Sequence, residues 1–400
     1  MKALKTFIME DWLETYRFNA PFNLGESGGS PRSVKDLLLG SGVSEEKSSE
    51  IFLGTVLNDS PNRGREDLRK LVADMHPGAQ IDNVLITTGT SEALFLLFRY
   101  LLPKKIALPL PAFQLLYEIP SALGAQIIPL PIRFSEHGKP FADIYEWKKI
   151  IKENNPDCLL INNPHNPSGL VLEKTFLLEL KKLAKEITCN IIGDEHYRFL
   201  SSESETLGET LFDTSENVFI TGSFIKCFGV PGLRIGWCVG NKKVLDIMQN
   251  EKNYTTHTVN PITEWISYEV LKNKESYLFK TVKEEWIKNK QILKDYLAIS
   301  QTVYGATPVG GLVTALGFKN VHSQEEADKL IKKIIDGGVF ILPLSSMEFG
   351  RFSFQNEFEY NGIKLSSINK GFGFRLGLGC ASEKFSRALK SIEHIIHRAE

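Results

Sequence analysis

The chain has little cysteine. Its five cysteines in 400 residues, Cys158, Cys189, Cys227, Cys238 and Cys380, are odd in number, widely spaced and free of CxxC pairs. That excludes a disulfide framework and a cysteine-ligated zinc site, fits a reducing compartment, and makes most of them buried small hydrophobes. Charge of either sign is not in excess, with 47 Lys and Arg against 48 Asp and Glu. The basic residues alternate with acids in stretches such as "KKLAKEI", the pattern of a solvated helix face, so no nucleic-acid partner is expected. Long apolar runs are missing as well: "ALFLLF" is far too short to cross a bilayer. The N-terminal "MKALKTFIMEDWLETYRF" is interrupted by Glu10, Asp11 and Glu14 before an apolar leader core can form. These absences predict a cytoplasmic protein with no membrane partner. No internal repeat or low-complexity segment stands out.

What is present is alternation. Short runs rich in Val, Ile and Leu, "NVLITTG", "KIALPLP", "AQIIPLPI", "DCLLINNP", "CNIIGDE", "NVFITGSF" and "LRIGWCVG", are interleaved with amphipathic helical patterns such as "SEALFLLFRYLL" and "LEKTFLLELKKLAKEI". Continuous apolar strands mean a sheet buried on both faces, and helical crossovers make it mostly parallel. From Pro261 through "EEWIKNKQILKDYL" the pattern turns to long helices. Fewer, more separated strands follow ("GLVTALGF", "VFILPL", "FGFRLGLG"), with the helices "EEADKLIKKIIDGG" and "KFSRALKSIEHIIHRA". The expected class is α/β: a large domain with a mostly parallel central sheet flanked by helices, plus a smaller α+β C-terminal domain. The expected boundaries are an arm at 1–45 packing with the small domain, a large domain at 46–285 and the small domain at 286–400.

Ligands of open α/β sheets bind outside the carboxyl ends of the strands, and four strand ends carry polar signals here. Gly89, Thr90 and Ser91 stand between a strand and a helix, either as a phosphate seat or as an ordinary hydroxyl N-cap. In "INNPHNPSG", Pro164 and Pro167 flank Asn166 and would aim its amide at a ligand, or the cluster is a plain turn. Asp194 in "NIIGDEHYRF" would be partly desolvated and in want of a cation, with Tyr197 beside it; a helix N-cap is the alternative. Lys226 in "ITGSFIKCFGVPGLRIGW" sits among Phe224, Ile225, Cys227 and Phe228. It is either a snorkelling surface lysine or a desolvated amine able to attack a carbonyl.

Together these residues supply a phosphate seat (Gly89, Thr90, Ser91, Ser223, Arg234), an acid for a ring nitrogen (Asp194), partners for a phenolic oxygen (Asn166, Tyr197) and a Schiff-base lysine (Lys226). Pyridoxal 5'-phosphate needs that set: an electron-sink ring kept protonated by a carboxylate, its aldehyde held on a lysine.

The ordered motifs Asn163 to Gly169, Asp194 to Tyr197, Ser223 to Lys226 and Gly232 to Gly236 resemble the class I/II aminotransferase-like group of fold type I pyridoxal-phosphate enzymes. The likeness runs from about Gly64 to Gly379. It implies that Phe113 in "PLPAFQLLYE" stacks on the cofactor ring and that Arg375 in "GFGFRLGLG" grips the substrate α-carboxylate. It also implies that Gly25 in "NLGESGG" belongs to a substrate loop, with Asn166 a further substrate contact. Two departures stand out. Ile225 occupies a position where relatives often carry a hydroxyl. "VLNDSPNRG" lacks the tyrosine that in many members reaches the neighbouring subunit's phosphate. His165 could brace Asp194, His196 reads as a packing residue, and His257 falls where the family approaches a dimer partner.

The resemblance implies ping-pong transamination of an amino acid, with Lys226 as the cofactor-bearing lysine and then the base at the α-carbon, Asp194 and Tyr197 assisting, and a homodimer as the working assembly. "MEDWLETYRFNAPFNLGESGG" and "TTGTSEALFLLFRYLL" are weakly similar to the capreomycidine-synthase-like branch. That implies, as the alternative, elimination, cyclisation or oxidation on an arginine derivative. A cofactor-sensing transcription regulator would need a DNA-binding domain ahead of the motifs, where only a short, non-basic arm is expected.

Overall fold

The computed structural model describes residues 2–204, 207–347 and 372–398, together with the backbone of two short strands, Glu359–Tyr360 and Ile363–Lys364. Seven apolar runs become seven strands: β1 Val84–Thr87, β2 Lys105–Leu110, β3 Gln126–Pro131, β4 Cys158–Asn162, β5 Asn190–Asp194, β6 Val218–Gly222 and β7 Gly236–Val239. They form one sheet in the order β1-β7-β6-β5-β4-β2-β3. Neighbours are parallel except around β7, which is antiparallel to both β1 and β6. The connection from β6 to β7 contains only turns and a short 3-10 segment, Pro231–Leu233, and no crossover helix, so the chain returns in the opposite direction.

Successive residues of each strand serve opposite faces. Ile86, Ala107, Leu159, Ile161, Ile191 and Ile220 join one apolar cluster, whereas Leu85, Ile106, Leu108, Leu160, Ile192 and Phe219 join the other. This two-sided burial is the reason the strands read as unbroken apolar runs. Each Ile, Leu or Phe among them taken out of water contributes about 1.5–3 kcal/mol before entropy is counted. Helices Thr90–Leu101 and Lys242–Lys252 send residues to one cluster, Ile144–Asn154 and Lys174–Glu186 to the other.

The second sheet has four strands, β8 Val303–Gly305, β9 Val313–Phe318, β10 Leu342–Pro343 and β11 Gly373–Gly377, in the antiparallel order β8-β9-β11-β10. Helices Gln324–Asp336 and Ser382–His397 cover it. The run "VFILPL" reads as one strand but divides in two. Val339–Phe340 pairs in parallel with Phe22–Asn23 of the N-terminal arm, while Leu342–Pro343 pairs with β11. Trp12 Nε1 donates to the Ile341 carbonyl between the two halves at 3.0 Å. The helix Tyr277–Ile299 crosses position 286: Leu278, Phe279, Val282 and Trp286 pack into a cluster of the large sheet, Leu293 and Tyr296 into that of the small one. Among the described residues no helix is long and apolar enough to cross a membrane, and no cluster of side chains fit for a metal ion occurs.

Candidate active site

The carboxyl ends of β4, β5 and β6 lie in register, with Asn162 opposite Asp194 and Asp194 opposite Thr221. All three side chains are buried, and the two flanking ones point their donors at the middle one. Asn162 Nδ2 donates to Asp194 Oδ2 at 3.1 Å and Thr221 Oγ1 to Oδ1 at 3.1 Å. His196 Nδ1 lies 3.2 Å from Oδ2. Asn162 also accepts from the Asn166 backbone N–H at 2.7 Å, so the strand end that holds Asp194 also orders the loop carrying Asn166. The two histidines exchange the parts read from the sequence. His165 does not brace Asp194: its Nδ1 meets Ser168 Oγ at 2.7 Å, and burial pushes its pKa down to about 3. His196 makes the aspartate contact and lays its ring against Tyr197, centroids 4.2 Å apart.

Gly89, at φ 81°, is the N-cap of Thr90–Leu101, and no side chain caps that helix. The hydroxyl N-cap alternative for Thr90 and Ser91 is therefore not what the chain adopts. Arg234 approaches this helix start: its Nη2 would lie 3.2 Å from a Cβ built on Gly89, beside first-turn N–H groups that no side chain caps. Arg234 is itself left-handed, at φ 49°, with Nη1 donating to Pro231 O at 3.2 Å. Ser223 departs from the expectation. Its hydroxyl donates to the Ile235 carbonyl at 2.8 Å and accepts from the Ile225 N–H at 3.1 Å. A hydroxyl has one proton to give, and here the backbone of the β6–β7 turn holds it, so Ser223 shapes the turn that carries Lys226 and Arg234. Ile225 is buried in a cluster of the large sheet.

Lys226 is half-buried, and its Nζ donates to Ser27 Oγ at 3.1 Å. Burial lowers its pKa; Glu26 and Glu10 pull it back up, while Arg375 and Arg234 push it further down. Tyr197, fully buried, donates its phenolic proton to the Ser27 carbonyl at 2.6 Å, and burial raises its pKa. Arg375 leaves β11 1% exposed, with Nη2 on the Gly25 carbonyl at 2.6 Å, Nη1 on Asn166 Oδ1 at 3.3 Å and Nε without a partner. Phe113 is partly buried, its ring 5.4 Å from that of Phe7 in the arm. His257 lies on an exposed loop, bonded to Asn253 at 2.9 Å.

The structure thus gathers the candidates through two sets of hydrogen bonds, one joining Asp194, Asn162, Asn166, Arg375 and Gly25 and the other joining Lys226, Ser27 and Tyr197, with Gly89 and Arg234 together at the helix end. Sequence reasoning missed Ser27, Asn162 and Thr221. The latter two carried a usable signal, since each is a polar residue closing an otherwise apolar strand beside Asp194. Ser27 carried none: nothing local ties it to a lysine about two hundred positions away.

A mostly parallel seven-stranded sheet with an acid at a central strand end, a lysine on the next loop and an uncapped helix terminus defines the class of pyridoxal-phosphate-dependent enzymes. Two solved structures share the fold over nearly their whole length. They are a pyridoxal-phosphate-dependent aminotransferase from Streptococcus suis (TM-score 0.85, 22% identity, 99% of each chain) and the pyridoxal-phosphate-dependent cyclase OrfR (TM-score 0.83, 21% identity, 100% of this chain and 99% of that one). The chain belongs to the family Aminotransferase class I and II, whose sequence pattern matches residues 45–360. Among its relatives is the capreomycidine synthase of Streptomyces vinaceus, 27% identical over 352 residues, 86% of each protein. It is accordingly a pyridoxal-phosphate-dependent enzyme. Its residues fit that group: an uncapped helix terminus with an arginine for the phosphate, a carboxylate with three donors for the ring nitrogen, and a lysine for the aldehyde.

Proposed function

We propose that the chain transaminates an α-amino acid. The bound cofactor supplies an electron-sink ring on which the α-carbon's bonds become labile. The observation that carries this reading is Arg375. A guanidinium this deeply buried, with its Nε unpartnered and one Nη resting on a backbone carbonyl, is a carboxylate grip holding substitute partners. Gly25 and Asn166, which touch it, would orient the same carboxylate. Lys226, its amine kept toward the neutral form by burial, would take the proton from the substrate α-carbon. Asp194 would face the ring nitrogen, and Tyr197 and Asn166 the ring oxygen. The N–H groups from Thr90 and Ser91, with Arg234, would hold the phosphate, and Phe113 would stack on the ring. Ser223 would support this seat from behind.

A second reading has its own support. Glu26 and Glu10 act electrostatically on both Lys226 and Arg375, which suits a substrate with a cationic side chain, and the similarity to capreomycidine synthase spans most of the chain. Elimination, cyclisation or oxidation of an arginine derivative would use the same first proton transfer. The test is turnover of a panel of amino acids including arginine. Stoichiometric keto acid with aminated cofactor supports transamination, whereas a cyclised or eliminated product with no keto acid overturns it in favour of the second reading. Lys226→Ala should lose about 10⁴-fold in turnover with every substrate.

The working assembly we propose is a cytoplasmic homodimer. Leu53, Val56, Leu57 and Tyr254 are 80%, 69%, 72% and 92% exposed. The hydrogen bonds between Asn62 and Asn253 and between Thr258 and Asp59 set their two segments side by side, an apolar face suited to a second copy. Sedimentation at micromolar concentration would reveal a monomer if this is wrong. The arm at 1–45 and units at 46–285 and 286–400 remain our proposed division.

A further inference from the structure

Residues 24–29 of the arm run as a strap across the site, and both sides of the site hold it in place. On one side, a Cβ on Gly377 would overlap the Glu26 carbonyl, and one on Gly379 the Gly28 carbonyl, so the end of β11 admits the strap only because those positions are glycine. On the other side, the Gly29 N–H donates to the Lys226 carbonyl at 2.7 Å, and a Cβ on Gly229 would overlap the Ser30 carbonyl. Ser27 sits at the middle of this clamp, 8% exposed. It is the one residue of the strap that touches two groups of the proposed chemistry: its Oγ accepts from Lys226 Nζ at 3.1 Å and its carbonyl from the Tyr197 hydroxyl at 2.6 Å.

We propose that Ser27 is a positioning residue for Lys226, its hydroxyl fixing the amine and solvating its charged form while its carbonyl fixes Tyr197. This rests on the reading of Lys226 as the reactive amine. The charged groups that act on that amine come from several elements: Glu10 and Glu26 from the arm, Arg234 from the β6–β7 turn and Arg375 from β11, while Tyr197, past the end of β5, shares Ser27 with it. None of them donates to or accepts from Lys226 Nζ; among the described residues the Ser27 hydroxyl alone does. Replacing it by a methyl group removes the only hydrogen-bond acceptor for the charged amine and leaves the surrounding charges as they are. The sign is therefore fixed: the lysine becomes easier to deprotonate.

The test is amine acylation of the cofactor-free protein as a function of pH, read at Lys226 by peptide mass spectrometry, with exposed Lys35 as the internal reference. Ser27→Ala should move the Lys226 midpoint down by about 0.5–1 pH unit, and Ser27→Thr, which keeps the hydroxyl, should stay within about 0.2 unit of the wild type. Coincident wild-type and Ser27→Ala curves in folded protein overturn the proposal, as does a Ser27→Thr shift equal to that of alanine. Should Ser27→Ala fail to fold, Ser27→Cys, a poorer acceptor, must shift the midpoint in the same direction, and an unmoved midpoint is again the overturning result. Adding pyridoxal phosphate tests the underlying reading separately. Protection of Lys226 from acylation supports it, while a reagent-accessible Lys226 in the saturated protein defeats the cofactor role without altering the serine–lysine result.

Discussion

Two halves of the site are built in different ways. The half around Asp194, proposed to face the cofactor ring, is made of strand ends: Asn162, Asp194 and Thr221 face one another because β4, β5 and β6 are in register, and each donor already has its acceptor. The carboxylate half is made across the molecule, from a lysine on a turn, a tyrosine beyond β5, an arginine on β11 and a strap from the arm. Its groups rest on backbone carbonyls, one serine hydroxyl and the Asn166 amide oxygen. The first half is preorganised: the Asn162 and Thr221 donors and His196 already surround the aspartate. The second keeps donors in reserve: in its proposed role Arg375 has an unpartnered Nε–H and further Nη protons to offer a substrate carboxylate.

That contrast predicts different failures. The largest effect should come from Asp194→Asn, which keeps the size and most contacts of the side chain but removes its charge. Turnover should fall by about 10³-fold with KM for the amino acid nearly unchanged. A loss confined to KM would show that Asp194 does not face the ring. A smaller effect of a different kind should follow Arg375→Lys. The ammonium cannot make the forked contact, so KM should rise about 10- to 50-fold, while the cofactor remains bound and its absorption unchanged. If instead cofactor is lost, the two halves are not separable and the comparison fails.

The sequence marked the anchor of the first half, Asp194, but not its donors Asn162 and Thr221, and the second half only in pieces. The strands could be read because burial on two faces leaves a continuous apolar run, and polar residues that close such runs must have a partner. Asp194, Asn166 and Lys226 were singled out as candidates at or just past such strand ends. Ser27 was not, because its partners are set by tertiary approach of the arm to β11 and the β6–β7 turn. The swapped roles of His165 and His196 have the same origin. His165 is turned to Ser168 within its own loop, whereas His196, two residues past Asp194, reaches the carboxylate. Ser223 was read as a phosphate donor from its motif position, yet the Ile235 carbonyl takes its proton. The break within "VFILPL" was hidden because both halves are equally apolar; what separates them is a change of partner, from the arm to β11.

The smallest effect tests the cost of keeping the second half ready. Burial lowers the pKa of Lys226 below its ordinary 10.5, so between the folded and unfolded values the unfolded chain binds a proton that the folded chain does not. Stability of the cofactor-free protein therefore rises with pH through that window and levels off above 10.5, the slope from this one group being at most about 1.4 kcal/mol per pH unit. Other groups titrate in the same range, and Lys226→Met isolates the term. The difference in unfolding free energy, wild type minus variant, from denaturant titrations at successive pH values, should climb toward alkaline pH. Below the folded pKa the wild type must bury the charged amine, so the variant should be the more stable of the two. In the proposed role of Lys226, no equivalent slope should attach to the cofactor-loaded wild type, where the amine would no longer titrate as a free lysine. A flat difference in the cofactor-free pair would mean that Lys226 reaches water after all, and that the strap does not enclose the amine.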